Sequence, residues 1–302
     1  MTDAEGSTCV FEVVICSRDR PERLREALNA LDRQTFQDFH VTVIDQSDVF
    51  DAELDCRRAV DPLLEVIRDP GRGLSRSRNI GWRHADADWV TFVDDDCLPE
   101  QDWAELLQRE LETHPEADFL SGHISEHNVP DRDYVPVATH PVHEERRHSG
   151  RWTPPHHLGF GTCMTIRRSM IERLGGWDER LGPGIVDFPA ADDMDFNYRF
   201  LRAGGIAYLS PHVRVFHDQW RTKDEIGPLL CGYMAAHCGF SVKHLRTGDA
   251  AGGVWLFGLG LVDLLRMVAS GVRRRSPFRL GLAWWKLRGL VNGTRKGMRA
   301  TW

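Results

Sequence analysis

Little in this 302-residue sequence announces a secreted, membrane-spanning or nucleotide-hydrolysing protein. Cysteine is scarce and odd in number: Cys9, Cys16, Cys56, Cys97, Cys163, Cys231 and Cys238 are scattered and never spaced C-x-x-C. Neither a disulfide framework nor a zinc knuckle is indicated, and a reducing cytoplasm fits best. The N-terminal M-T-D-A-E-G-S-T-C-V has two acids and no apolar core, which argues against a cleaved export signal. Between Asp249 and Asp263 lies the longest run without Asp, Glu, Lys, Arg or His, thirteen residues. As a helix it would reach about 20 Å against a hydrocarbon core of about 30 Å, so it is expected not to cross a bilayer. No Walker G-K-[ST] occurs, and the G-x-G that starts at Gly71 meets Arg76 where a dinucleotide fingerprint needs a third glycine. Dehydrogenase and P-loop readings lose their footing, and no internal repeat is visible.

What is present is an ordinary globular composition, 41% apolar, 27% charged and 9% aromatic, able to bury a sizeable core. The net charge of −7 conceals an asymmetry. Residues 264–302 hold ten Lys or Arg and no acid, so residues 1–263 carry 28 basic against 45 acidic side chains, a balance of −17. An acidic body speaks against general nucleic-acid binding, whereas the basic tail suits an anionic lipid surface or an acidic partner, unless it is simply a solvated charge run.

Short β-branched runs alternate with amphipathic segments. V-F-E-V-V-I-C from Val10 predicts a strand, and Pro21 opens a helix with Leu24, Ala27, Leu28 and Leu31 on one face. Further strands are predicted at His40–Asp45, Leu63–Ile67 and Trp89–Val93, with helices at Leu74–Ala85 and Glu100–His114. This βαβ series implies an α/β fold whose sheet is mostly parallel and flanked by helices. From Gly122 to Leu158 periodicity fades and Pro and His abound, predicting a long surface excursion. A strand at Gly161–Arg167, a short helix to Leu174, a glycine-rich turn, a helix from Asp192 to Gly204 and a strand Val213–Phe216 follow.

Parallel sheets bind ligands at the carboxyl ends of their strands. Those ends carry Cys16, Ser17 and Arg18; Asp45 and Gln46; Asp94, Asp95 and Asp96; and His217. Three adjacent aspartates repel one another unless a cation offsets them, and oxygen ligands suit Mg²⁺ or Mn²⁺. A helix-start reading competes at Asp96. Asp192, Asp193 and Asp195 open a second acidic cluster where helix capping accounts for one acid and a general base for another. His217 can complete a metal shell or serve structure alone. Arg78, beside Gly71 and Gly73, can meet a diphosphate.

In order and spacing, V-V-I-C-S-R-D-R-P, V-T-V-I-D, G-L-S-R-S-R-N-I-G, F-V-D-D-D, G-G-W-D-E-R-L-G, A-D-D-M-D-F and F-H resemble family 2 glycosyltransferases of the bacterial type, with the GT-A fold, over about residues 10–220. The resemblance implies an inverting hexosyl-type transfer from a nucleotide diphosphate sugar to an acceptor hydroxyl, assisted by Mn²⁺ or Mg²⁺, in polysaccharide or glycoconjugate biosynthesis. It implies Asp96 and His217 as metal ligands and Asp193 as catalytic base, with Asp192 as fallback. Cys16, Ser17, Arg18, Asp45, Gln46, Arg78, Asp94 and Asp95 match donor-binding positions. Trp177, Asp178 and Glu179 match a turn near the acceptor. Where many members have a second acid after strand two this chain has Gln46, leaving UDP, dTDP and GDP donors open. The acceptor is a glycan, a lipid-linked sugar or a small molecule.

The expected division is a catalytic domain over 1–222, with a nucleotide-binding half at about 10–115 and an acceptor half at about 116–222, and a helical basic extension over 223–302. Trp255, Phe257, Arg273–Arg275, Trp284 and Trp285 in that extension suit a helix lying on the inner membrane face or packing on a second subunit. Two other functions stand beside the transferase. A sugar-nucleotide pyrophosphorylase lacks its Gly-rich loop here, and a non-catalytic carbohydrate-binding protein would need the carboxylates spread apart.

Overall fold

The computed structural model describes residues 9–130 and 133–302. Strand β1 (Phe11–Ser17) leads to helix α1 (Pro21–Asp32), where proline occupies the first turn and Leu24, Ala27, Leu28 and Leu31 are buried. The alternation continues through β2 (Phe39–Asp45), α2 (Ala52–Val60), β3 (Leu64–Arg68), α3 (Leu74–His84) and β4 (Trp89–Asp94). After the short β5 (Cys97–Pro99) come α4 (Trp103–Thr113), β6 (Phe119–Glu126), β7 (Tyr134–Pro136) and β8 (Arg146–His148). Then follow β9 (Cys163–Arg167), α5 (Arg168–Leu174), α6 (Asp192–Arg202), β10 (Ala207–His217) and β11 (Trp220–Thr222). Three long helices end the chain: α7 (Lys223–Arg246), α8 (Ala250–Arg273) and α9 (Pro277–Arg299).

The main sheet runs β3-β2-β1-β4-β9-β6-β10-β5, with β8 also on β10. The pairings make β3, β2, β1, β4, β6 and β10 point the same way, while β9, β5 and β8 run against them. Phe11, Val13 and Ile15 face a core with α1 and α4, whereas Val14 faces Phe92, Met164, Phe196 and Phe200 on the other side. Alternate residues of one strand thus serve two hydrophobic layers, as a sheet covered on both faces requires. All six parallel strands deliver their carboxyl ends to one edge.

Two expectations need correcting. The stretch 122–158 is not wholly a surface excursion: β6 extends to Glu126, β8 pairs with β10, and Ile124 and His140 exchange backbone hydrogen bonds at 3.0 and 2.9 Å. Polar residues there take ladder bonds from β10, so no apolar period marks the strands. The thirteen-residue run is likewise not the whole helix. It continues through Asp263 and Arg266 to give the 24 residues of α8, about 36 Å, long and apolar enough by length and composition to cross a membrane. In this fold α8 lies against α7 and α9, burying Leu256, Gly260 and Leu264.

Helix α7 starts at a reciprocal cap in which the Thr222 N–H donates to Glu225 at 2.8 Å. Glycines four apart on α9 let it approach closely: a Cβ on Gly289 or Gly293 would lie 2.3 or 2.1 Å from the α7 carbonyl oxygens of Cys231 and Ala235. Asp195 joins this bundle to α6. Fully buried, it accepts from Lys243 at 2.7 Å, His244 at 2.9 Å and Arg199 at 2.8 Å. Although burial opposes ionisation, those cations hold its carboxyl well below the usual range.

Candidate active site

The ends of β1, β4 and β10 meet around the three aspartates. Asp95 accepts from the Ser17 hydroxyl at 2.7 Å, and the Arg20 guanidinium bridges Asp95 and Asp96 at 3.1 Å each. Asp96 also contacts His217 Nε2 at 3.2 Å and accepts from Gln219 at 3.2 Å. Burial pushes Asp96 up, but the His217 hydrogen bond and charge win and hold it below its ordinary value. Asp95, with burial dominant and two acidic neighbours, is raised to about 6. Asp94, also raised by burial, faces Arg78 at 3.5 Å.

Ligand atoms of Asp94, Asp96, Cys97 and His217 lie within 4.8 Å of one another. Burial beside carboxylates keeps the Cys97 thiol protonated, so the usable donors are two carboxylates and an imidazole. His217 is 2% exposed, with its Nε2 held against Asp96. Hard oxygens with one nitrogen fit Mn²⁺ or Mg²⁺.

Across the site, α6 begins with Ala191 in the left-handed region at φ 71°, which turns Asp192 and Asp193 inward. Asp192 is neutralised by Arg78, whose Nη1 donates to it at 2.5 Å. Among the described residues no cation is hydrogen-bonded to Asp193, which accepts from the N–H groups of Met194 at 2.7 Å and Gly161 at 3.3 Å. Burial and the Asp192 charge raise it to about 7, overriding the pull of the helix N-terminus. Gly161 is required here, because a Cβ would sit 2.0 Å from Arg78 Nη2.

Two cavities converge on these groups. The smaller, about 230 Å³, is walled by Cys16, Ser17, Arg18, Gln46, Gly73 and the three aspartates. The larger, about 730 Å³, is lined by Arg78, Asp94, Asp192, Asp193 and His217. Both include Leu74, Asp94, Pro183 and Gln219, so they adjoin at the end of β4.

Most residues singled out in the sequence therefore gather at one place. Others do not. Asp45 is 3% exposed and held by Arg68 at 3.0 Å, off both cavity walls. Arg78 is spent on Asp192 and Asp94 beneath the larger cavity and does not reach the smaller one. Trp177 stacks on Phe196 at 4.3 Å in the core, Asp178 pairs with Lys243 at 2.6 Å and Arg180 at 2.8 Å, and Glu179 accepts from Asn79 at 2.9 Å. None of the three lines either of these two cavities: Trp177 is buried, and Glu179 is exposed away from them. Sequence reasoning passed over Arg20 and Gln219, which hold Asp96, and Tyr233, on the wall of the larger cavity. Arg20 stands in the same S-R-D-R-P loop as Arg18, and Gln219 lies two residues past His217; Tyr233, on a helix without clear amphipathicity, gave no signal.

A sheet of this topology with paired cavities at its carboxyl edge defines a GT-A-type α/β transferase fold. The chain belongs to glycosyl transferase family 2, whose model matches residues 12–175. It is 26% identical over 180 residues to the glucosyl-dolichyl phosphate glucuronosyltransferase of Haloferax volcanii, covering 56% of each chain. It is 26% identical over 212 residues to the pre-mycofactocin glycosyltransferase of Mycobacterium tuberculosis, covering 68% of this chain and 42% of that one. The chain thus spans only about half the length of these curated relatives. Among solved structures, S. aureus TarS 1-349 superposes with TM-score 0.61 at 15% identity, over 95% of this chain and 90% of that one. That protein has also been solved with UDP and with UDP-GlcNAc. The mannosyltransferase PcManGT from Pyrobaculum calidifontis, solved with GDP-Man and Mn²⁺, gives 0.60 at 16% identity over 96% and 87%. At such identities the solved structures speak for the fold alone.

Proposed function

We propose that this chain is a metal-dependent, inverting glycosyltransferase that moves a hexosyl-type sugar from a nucleotide diphosphate donor to an acceptor hydroxyl. The observation that carries the reading is that Asp193 shares the larger cavity with Asp94 and His217, whose cluster with Asp96 stands where the two cavities adjoin. The nucleotides and Mn²⁺ of the similar structures support it.

The nucleotide occupies the smaller cavity, against Cys16, Ser17, Arg18 and Gln46, with UDP, dTDP or GDP as the donor types. Asp96 and His217 hold Mn²⁺ or Mg²⁺, which when bound supplies Lewis-acid charge to the departing diphosphate. Arg20 is placed to meet the phosphates. Asp193 takes the acceptor proton as the acceptor oxygen bonds the anomeric carbon; the anomeric C–O bond breaks and its electron pair leaves with the diphosphate. Because Asp193 is ionised only above about pH 7, it is well matched to a hydroxyl at neutral pH. Asp192 serves as partner of Arg78 and not as base.

We assign residues 1–222 to the catalytic unit and 223–302 to a helical extension. All seven cysteines are free, which suits cytoplasmic work, and the extension is read as seated on the inner membrane face. The test is nucleotide-sugar hydrolysis and transfer with Mn²⁺ or with chelator, following the released sugar by proton NMR. Metal-dependent release of the inverted anomer is expected. Retained configuration, or turnover unaffected by chelation, overturns the proposal.

A further inference from the structure

Away from both cavities, near the start of β10 and at the opposite end of that strand from His217, three more metal-ligating side chains converge. Glu110 and His114 stand four residues apart at the carboxyl end of α4, a spacing that puts them on one face of the helix. Strand β8 pairs antiparallel with β10, with Arg146 opposite Leu209, and this register brings Glu145, the residue before β8, to the same place. Ligand atoms of the three lie within 4.8 Å of one another.

The surroundings hold these groups in position. His114 is 8% exposed, and its ring stacks on Tyr208 with centroids 3.9 Å apart. Its Nε2 is buried and makes no hydrogen bond among the described residues. It stands 3.4 Å from Glu110 Oε2 and 3.3 Å from Glu145 Oε2, off the line along which an N–H would reach either. The Ser210 hydroxyl donates to Glu110 Oε1 at 2.6 Å, which leaves Oε2 facing the imidazole. Among the described residues neither glutamate is paired with Lys or Arg. The nearest arginines in sequence are engaged elsewhere, Arg146 with Glu144 at 3.4 Å and Arg147 with the Ser149 hydroxyl at 3.1 Å. Two carboxylates therefore face a buried nitrogen with no permanent cation between them, at the helix end whose dipole favours positive charge.

We propose that Glu110, His114 and Glu145 form a second metal site, for Zn²⁺, independent of the reading of the active site. A nitrogen and an oxygen 3.3 or 3.4 Å apart, each about 2.0–2.1 Å from one ion, subtend about 105–110° at it, the tetrahedral angle. An octahedral ion such as Mg²⁺ asks for neighbouring ligands about 3.0 Å apart at the same bond length. One imidazole with two carboxylates is a set that Zn²⁺ takes with water in the fourth position. The Glu145 side chain is 54% exposed, which leaves that position and a path of entry open to solvent. Once bound, the ion ties the start of β8 to α4. The chain beyond β8 supplies Pro154, Pro155, His156 and His157 to the wall of the larger cavity, so the tie steadies that wall from outside the cavity.

The experiment is calorimetric titration of ZnCl₂ into the full chain carrying Asp96→Asn, which takes an oxygen donor from the catalytic cluster, and into the same chain with Glu145→Gln added. The first protein should bind one Zn²⁺ that the second binds at least about tenfold more weakly. Glu145 is exposed, so its replacement should leave the fold intact. CoCl₂ should give the first protein alone the intense visible absorption of a four-coordinate ion, with no thiolate charge-transfer band. Zn²⁺ should also slow amide exchange over residues 145–157 in the first protein and not in the second. The proposal falls if the first protein binds no Zn²⁺, if Glu145→Gln leaves the affinity unchanged, if Co²⁺ is six-coordinate or held by thiolate, or if exchange over 145–157 ignores the metal. A Tm lowered by Glu145→Gln to the same extent with and without Zn²⁺ would mean that the three groups form an ion pair alone, and would overturn it as well.

Discussion

Replacing Asp193 by Asn keeps the shape of the side chain and removes its capacity to take a proton. Met194 and Gly161 donate to different oxygens of Asp193, so the amide oxygen keeps the shorter bond from Met194 and gives up the 3.3 Å one from Gly161, while the Arg78–Asp192 pair is left in place. Loss of a positioned general base costs about 10²–10⁴ in rate, so kcat should fall by that factor while nucleotide affinity stays near wild type. The pH profile carries the sharper signature. With Asp193 half-ionised at about 7, the competent fraction rises from about a tenth at pH 6 to about nine tenths at pH 8, a roughly tenfold rise in kcat. The Asn variant should lose that limb. The assay is initial-rate release of nucleoside diphosphate at saturating donor from pH 5 to 9, with affinity measured alongside. Turnover within a few-fold of wild type, or a wild-type limb centred near 4, would refute the assignment of Asp193 as base.

Arg20→Ala removes two contacts at 3.1 Å to Asp95 and Asp96 and a cation from the wall of the smaller cavity, so donor KM should rise about tenfold or more with a smaller change in kcat. An unchanged KM would place Arg20 outside donor binding. Gly161→Ala drives a methyl into Arg78, and overpacking of about 1–3 kcal/mol should appear in urea unfolding together with lost turnover. Wild-type rate and stability would contradict the close approach. Asp195→Ala leaves Lys243, His244 and Arg199 without their shared carboxylate and should destabilise by about 3–5 kcal/mol. A loss under 1 kcal/mol would mean that α6 and the C-terminal helices do not depend on this buried cluster.

The βαβ series was legible because its strands carry β-branched runs and its helices an apolar face, each period repeated long enough to be read. Residues at the carboxyl ends of β1, β4 and β10 were therefore found before any coordinates. The excursion hid β8 because R-R-H is stabilised by backbone pairing to β10, and polar side chains on such a strand leave no alternation. Helix α8 was underestimated because Asp263 and Arg266 interrupt its apolar run, though they interrupt neither the helix nor its packing. Trp177 shows a different limit. An aromatic in a turn motif can stack on a sugar or on Phe196, and only the tertiary fold decides between them.

The most direct measurement is calorimetric titration of UDP, dTDP and GDP, each with Mn²⁺, into wild type, Asp96→Asn and His217→Ala. The account predicts that one of the nucleotides binds wild type only when Mn²⁺ is present and that both variants lose this metal-dependent part. Equal affinity with chelator, or variants indistinguishable from wild type, would contradict a cation held by Asp96 and His217 beside the nucleotide.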